Sequence, residues 1–510
     1  QVSRHRSRVC ALFPPPARHP RGLCCARHGH VAHARACSCV SACGALPTAP
    51  ALSAPRGFAM SASAGAVLVP WGAPPVATLL AFSRSLLVHR QVRRSAATAL
   101  LAGLLVSSLA ALRGRALLAW RPHPRPVGKH AVGSLRARLP GGGGRPGLLA
   151  QVHYPAAGAS AGGRLGAAPF EYCRPRVLAE IARGYNVPHA VLRAAIGGRP
   201  QVDPLLRPLP PPGAGAEFWP LVVFTPGLYG CLEFYTQLCR EFAAAGCVAV
   251  ALEHEDGTSV SAIDRHTGEA IPYREQATYP YDIVAFNRPF LESRQRELKA
   301  SVADLLAAAA AGADAAEDVA SEGDDEGAAW RGVLRYADPS RVVLVGHSFG
   351  GSAILHCLRE EPAWWAERCC GTLLLDFWPG ALTADMAGGE MERLGAALPL
   401  PAVLLLSEMW HRSEWYAGSF QGFARGCGDR CLASAAVPGT FHQWVSDANF
   451  WAPDWAMRLF GLLGPRDHAD AHAATAKAVV AGVRGLRGGA SGVKELRNAF
   501  AALGLEEVAP

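Results

Sequence analysis

Lysine is scarce in this 510-residue chain: four of its 50 basic residues are Lys (Lys129, Lys299, Lys477 and Lys494). With Ala, Gly and Pro abundant, the arginine bias reads as a trace of GC-rich coding. Acidic residues are absent from residues 1–170, which hold 21 Arg and Lys, whereas residues 171–510 hold 29 basic and 41 acidic ones. The two parts carry +21 and −12, so the overall +9 describes neither. Aromatic interleaving and a folded basic motif are missing from the first 60 residues, and nucleic acid is not expected as a partner. A Gly-rich phosphate loop, an H-E-x-x-H pair and a calcium loop are also missing. No cofactor or metal is therefore expected, and the chemistry sought is one that side chains perform alone.

Residues 1–60 are rich in Arg, Ala, Ser, Pro and Cys, the composition of an organelle transit peptide. They read equally as untranslated sequence, since the chain begins with Gln1 and its first methionine is Met60. Six of the 15 cysteines (Cys10, Cys24, Cys25, Cys37, Cys39, Cys43) lie there, at no zinc spacing. The other nine, including Cys369-Cys370 and Cys427 with Cys431, are reduced core thiols or one local disulfide. Residues 61–121 form an apolar, membrane-anchor-like region in which Ser95–Leu112 has about the minimum length to span a bilayer. Arg93 and Arg94 precede it and Arg113 and Arg115 follow, which fits an anchor or an interfacial helix, with a cleaved signal or a soluble helix as the alternatives. Membrane association follows as the expected localisation, on an organelle or cytosolic face or through secretion. Residues 122–146, with Gly141 to Gly144, read as a Pro/Gly linker, and residues 147–510 as one domain with a large core.

The most informative stretch is Gly346-His347-Ser348-Phe349-Gly350-Gly351. Arg341 to Val345 before it is β-branched and apolar, as in a strand buried on both faces, and Ser352 to Leu358 after it has helical spacing. Ser348 then sits on a sharp strand-to-helix turn, tolerable only where Gly346 and Gly350 allow close backbone approach. The following helix aims its positive end at the same spot. A glycine-rich structural turn is the competing reading. If this is a nucleophile elbow, the fold is α/β-hydrolase: a mostly parallel central sheet with helices on both faces, and partners in the order Ser, Asp, His.

Gly371 to Leu375 reads as the next strand and ends in Asp376, the leading acid. Further strands are expected at Pro401 to Leu406 and near Leu432 to Val437. After them a turn signal precedes His442, the leading base. The rival bases are His347, too close to the serine to curl back, His356, on the elbow helix, and His411, before the last strand. Asp385 and Asp447 are the rival acids. His442 and Asp447 also spell H-x4-D, a spacing used by some glycerolipid acyltransferases, but that explains nothing of the elbow. An oxyanion hole needs two backbone N–H groups. Phe349, directly after the nucleophile, is one candidate, and Leu228, in the glycine-bearing loop after the apolar run Leu221 to Phe224, is the other.

These residues resemble the platelet-activating factor acetylhydrolases of the plasma and cytosolic type II kind, the group VII phospholipases A2. The family's elbow is G-H-S-F-G-G, matched by Gly346 to Gly351. Its L-D-x-W segment resembles Leu375 to Trp378, and its G-x-x-H-Q segment matches Gly439 to Gln443. Upstream, Pro220 to Gly230, Ala251 to Asp256, Tyr154-Pro155 and Asn287 to Leu298, with Glu292-Ser293-Arg294-Gln295-Arg296, resemble family segments. The likeness covers roughly Gly147 to Gly504. It departs at Thr225-Pro226, where the family has Ser-His, and at Glu255, which replaces an Arg and inverts a charge near the site. An insert between Ala308 and Gly327 ends in Glu322-Gly323-Asp324-Asp325-Glu326, a carboxylate run that reads as a solvated acidic loop in preference to a metal site.

The resemblance implies a serine esterase that removes a short or oxidised sn-2 acyl group from a phospholipid at a membrane or lipid surface, like a 1-alkyl-2-acetylglycerophosphocholine esterase. Ser348 would be nucleophile, His442 base and Asp376 its orienting acid, with Leu228 and Phe349 holding the oxyanion. Phe377, Trp378, Trp410 and Trp444 would line an acyl pocket or a membrane-facing rim, or simply be core. The alternatives are a general carboxylesterase or polyester hydrolase and, in a different class, a non-catalytic lipid-binding α/β-hydrolase scaffold.

Overall fold

The computed structural model describes residues 123–142, 145–158, 170–201, 203–212, 218–274, 282–313, 326–459 and 461–508. The expected leader, the apolar Ser95–Leu112 and residues 314–325 of the acidic insert lie outside the described residues. Among the described residues no helix is long and apolar enough to cross a membrane.

The strands in chain order are β1 (Ala131–Pro140), β2 (Pro146–Ala156), β3 (Trp219–Thr225), β4 (Val248–Leu252), the short pair β5 (Ala262–Ile263) and β6 (Ala270–Ile271), β7 (Ala337–His347), β8 (Cys369–Leu375), β9 (Ala402–Ser407), β10 (Cys431–Val437) and β11 (Glu506–Glu507). Nine of them form one sheet in the order β1-β2-β4-β3-β7-β8-β9-β10-β11. From β4 to β10 every neighbouring pair is parallel. Strands β1, β2 and β11 add antiparallel edges.

Parallel neighbours need crossovers, and the helices that supply them cover both faces. They include α1 (Pro175–Gly184), α2 (Thr236–Ala244), α3 (Ile283–Ala313), α4 (Phe349–Glu360), α5 (Ala417–Cys427), α6 (His468–Arg487) and α7 (Gly489–Ala502). Alternation along each strand divides the apolar residues between two cores. Leu221, Val223, Val342, Leu344, Leu404 and Leu406 pack with Leu298 and Val302 of α3 and Ile354 of α4. Val222, Phe224, Val343, Val345, Val403 and Leu405 pack with Phe242 of α2, Val479 and Val483 of α6 and Leu496 of α7. Each such side chain, fully buried, contributes about 1.5–3 kcal/mol relative to exposure. No central position tolerates a charge, because neither face of the sheet meets water. This is the α/β-hydrolase arrangement.

One expectation is corrected. The segment 122–146, read as a linker, carries the edge strand β1, which pairs antiparallel with β2 from Ala131↔Ala156 to Arg138↔Leu149. Most of the prolines and glycines that suggested a linker flank the strand, with Gly133 inside it and Pro140 at its end. Within it Val132, Ala137 and Leu139 are buried while Arg136 and Arg138 alternate with them. Arg138 explains a second feature. Its guanidinium donates to Glu255 at 3.0 Å, and the backbone N–H of Arg265 donates to the same carboxylate at 3.1 Å. The charge inverted at Glu255 is thus matched by the edge strand.

Candidate active site

The chain runs from β3 outward to β4 and then returns to β7 on the other side of β3. Such a reversal opens a crevice at the carboxyl ends of the two strands. Thr225 lies opposite Gly346 there, and His347 lies opposite Leu375 of β8. The loops that follow β3, β7 and β8 therefore start side by side.

Ser348 stands between β7 and α4 with φ 55° and ψ −123°, a conformation that a non-glycine residue adopts at a cost of about 1–3 kcal/mol. Its N–H donates to the Leu375 carbonyl at 2.9 Å, and its carbonyl accepts from the Trp378 N–H at 3.1 Å. Two glycines make the turn passable. A Cβ at Gly346 would stand 2.7 Å from the Gly350 carbonyl carbon, and one at Gly350 would collide with the carbonyl oxygens of Thr225 and Pro226.

Asp376, the first residue past β8, also has positive φ, at 40°. It is fully buried, and its carboxylate accepts from the Ser407 N–H at 2.7 Å and the Ser407 hydroxyl at 2.6 Å. Its Oδ2 lies 3.0 Å from His442 Nδ1, and His442 Nε2 lies 3.0 Å from Ser348 Oγ. An acceptor-only carboxylate places the imidazole proton on Nδ1, which leaves Nε2 to accept from the serine hydroxyl. The loop bearing His442 is clamped to the end of β9: Glu408 accepts from the Gly439 N–H at 2.6 Å, and the Thr440 carbonyl accepts from the Met409 N–H at 3.2 Å. The Trp410 ring stacks on His442 with centroids 4.1 Å apart and planes 6° apart.

The rival groups are engaged elsewhere. His347 accepts from the Tyr235 hydroxyl through Nδ1 at 2.9 Å and donates through Nε2 to the His442 carbonyl at 3.0 Å. His356 lies beside Arg359 and Glu360 on α4, and His411 lies 3.6 Å from Glu506. Asp385 accepts from the backbone of Ala387 and Glu390. Asp447 meets His123 at 2.8 Å and accepts from the Tyr172 hydroxyl and the Gln237 N–H at 3.1 Å, so the H-x4-D pair does not form.

Burial sets the charges. It lowers His442 to about 3 and His347 to about 3, the latter with His442 beside it, so both rings are neutral at pH 7. Burial pushes Asp376 up to about 7, with the two Ser407 donors pulling the other way. Both neutral rings keep a lone pair, but only that of His442 lies within reach of Ser348 Oγ, as a base requires.

Phe349 opens α4, so its N–H has no carbonyl one turn earlier within the helix to accept it. The loop of Leu228 lies against the serine, since a Cβ at Gly227 would be 2.9 Å from Ser348 Cβ and 3.5 Å from its Oγ. Pro226, which has no N–H, contributes only its carbonyl to this loop. Three of the four aromatics expected near the site are core. Phe377 packs on Phe420 and Phe423, Trp378 donates to the Tyr416 hydroxyl at 3.1 Å, and Trp444 donates to the Thr475 hydroxyl at 2.9 Å. With Trp410 they are all buried, which removes them from any membrane-facing rim. Sequence reasoning missed Ser407 and the stacking of Trp410. Their only signal is a hydroxyl and an aromatic near the end of a strand whose neighbour has to be known first.

This chain matches the family model for platelet-activating factor acetylhydrolase, isoform II, over residues 172–491. It is 23% identical over 270 residues to the platelet-activating factor acetylhydrolase of Gallus gallus, an overlap of 50% of this chain and 59% of that relative's length. Among solved structures, a ferulic acid esterase from Streptomyces cinnamoneus shares 19% identity at a TM-score of 0.45, over 72% of this chain and 92% of the esterase. The stretch matched by the family model takes in Ser348, Asp376, His442, Leu228 and Phe349, and the chain belongs to the family of platelet-activating factor acetylhydrolase, isoform II.

Proposed function

We propose that the protein is a serine esterase that hydrolyses the short or oxidised sn-2 acyl ester of phospholipids at a lipid surface. The observation that carries the esterase reading is the pair of 3.0 Å contacts joining Ser348 Oγ, His442 and Asp376. Ser348 Oγ attacks the ester carbonyl carbon while His442 Nε2 takes its proton. The resulting oxyanion is held by the N–H groups of Leu228 and Phe349, with the positive end of α4 behind it. Collapse breaks the ester bond, and His442 returns its proton to the departing lysophospholipid oxygen, which leaves as a hydroxyl. A water deprotonated by His442 then releases the acid from the acyl-serine. Asp376 keeps the imidazole in the tautomer that this sequence needs.

A phospholipid as the substrate is supported by family membership and by the name of the Gallus gallus relative. Hydrolysis of a short-chain sn-2 phosphatidylcholine, a long-chain one and p-nitrophenyl acetate tests it. The short-chain lipid is expected to be turned over fastest among the lipids. Turnover of the soluble ester alone would favour a general carboxylesterase, and no serine-dependent turnover would favour the scaffold.

A lipid surface is supported by Trp455 and Leu459, which are 67% and 63% exposed. Four residues apart on the helix Asp454–Leu459, they share one face. Trp455→Glu should weaken sedimentation with phosphatidylcholine vesicles roughly ten-fold or more, the cost of losing one buried aromatic side chain. Hydrolysis of p-nitrophenyl acetate should be unchanged. Unaltered vesicle binding would place the contact elsewhere.

A further inference from the structure

We propose that Arg294 is a positioning residue of the oxyanion hole, a single guanidinium that touches both of its arms. The inference rests on the esterase reading above. Arg294 projects from α3 and is completely buried. Its Nη1 donates to the Pro226 carbonyl at 2.6 Å, two residues before Leu228. Its Nε donates to Asp256 Oδ2 at 2.9 Å, and its Nη2 donates to the Thr258 hydroxyl. Asp256 in turn accepts from the Thr258 N–H at 2.9 Å and the Thr258 hydroxyl at 2.6 Å. The segment so fixed grips the far side of the same loop: the Thr258 carbonyl accepts from the Tyr229 N–H at 2.8 Å, and the Val260 N–H donates to the Gly230 carbonyl at 3.2 Å. Leu228 is thus held between two anchors that share one side chain. The other arm lies against the same group, whose central carbon is 5.0 Å from the centroid of the Phe349 ring.

Neutralising Asp256 would need only a point charge. A planar fork with fixed donor directions is what sets a carbonyl, a carboxylate and a hydroxyl relative to one another while presenting a flat face to an aromatic ring. Pro226 sharpens the dependence. It offers no N–H of its own, so the entry to the loop is fixed through its carbonyl, which also lies where a side chain at Gly350 would collide.

The test compares wild type, Arg294→Lys and the double variant Arg294→Gln/Asp256→Asn, which removes both charges of the buried pair together. The substrates are p-nitrophenyl acetate and its thionoester. A thionoester develops a larger, weaker-accepting sulfur anion, so a well-placed pair of N–H groups favours the oxygen ester. Both variants should lose about 10- to 100-fold in kcat with KM changed by less than about two-fold, less than deletion of a whole donor would cost. The ratio of oxygen-ester to thionoester kcat/KM should fall with kcat. The fraction of folded enzyme cancels from that ratio, so a purely structural role does not move it. A wild-type rate in Arg294→Lys, or a lower rate at an unchanged ratio, would overturn the proposal. No turnover of either ester by the wild type would instead overturn the esterase reading, and this inference with it.

Discussion

Ser348→Ala is expected to remove roughly 10⁴- to 10⁶-fold of ester turnover, and His442→Ala to cost about as much. The two losses should not add. His442 Nε2 and Ser348 Oγ are 3.0 Å apart and act on one proton, so the double variant should be no slower than either single one. Any residual rate would come from the oxyanion donors and substrate binding alone. Thermal unfolding of Ser348→Ala should stay close to wild type, because alanine meets the same backbone strain at φ 55° as serine does. Additive losses in the double variant would mean that serine and histidine serve separate steps.

Asp376→Asn should lower kcat about 10⁴-fold while leaving the geometry in place, because an amide can donate to His442 Nδ1 and so favour the wrong tautomer. The same carboxylate governs the pH profile. Burial lifts Asp376 to about 7 and lowers His442 to about 3, so the pair takes up one proton as the pH falls through about 7. On the carboxylate that proton removes the charge that stabilises the imidazolium; on the imidazole it blocks the base. Activity is therefore present above about pH 7 and lost below it. The kcat/KM of the wild type should rise with pH as a single ionisation near 7, and the weak activity of Asp376→Asn should be flat from about pH 5 to 8, since His442 alone titrates far lower. A one-proton limb near 7 that persists in Asp376→Asn would assign it to another group.

The elbow was legible because strain leaves a trace in sequence. A serine held at positive φ between a buried strand and a helix forces glycine at Gly346 and Gly350, and those offsets do not depend on the rest of the chain. From the residues themselves Asp376 and His442 were legible through chain order, each following a strand whose place in the sheet had to be assumed, and the family resemblance of Leu375 to Trp378 and of Gly439 to Gln443 pointed to the same two. Ser407 was not, because its contact with Asp376 follows from β9 lying beside β8, a long-range fact. β1 was misread for a different reason. Edge strands carry charge on one side, here Arg136 and Arg138, and the flanking Pro and Gly outweighed a short apolar alternation. The aromatics near the motifs were ambiguous because apolarity alone does not say whether a ring faces a pocket, a membrane or the core; Phe377, Trp378 and Trp444 face the core. The exposed Trp455 and Leu459 carried no distinguishing signal for the same reason.

The most direct test of the account is to mix the protein with a 2-acetyl phosphatidylcholine, quench in acid and map the acetyl group by peptide mass. Acetyl is expected on the peptide carrying Ser348, present in Asp376→Asn, where slow turnover can be caught, and absent in Ser348→Ala. Turnover of the lipid with no acyl-serine at that position, or with undiminished rate in Ser348→Ala, would contradict it.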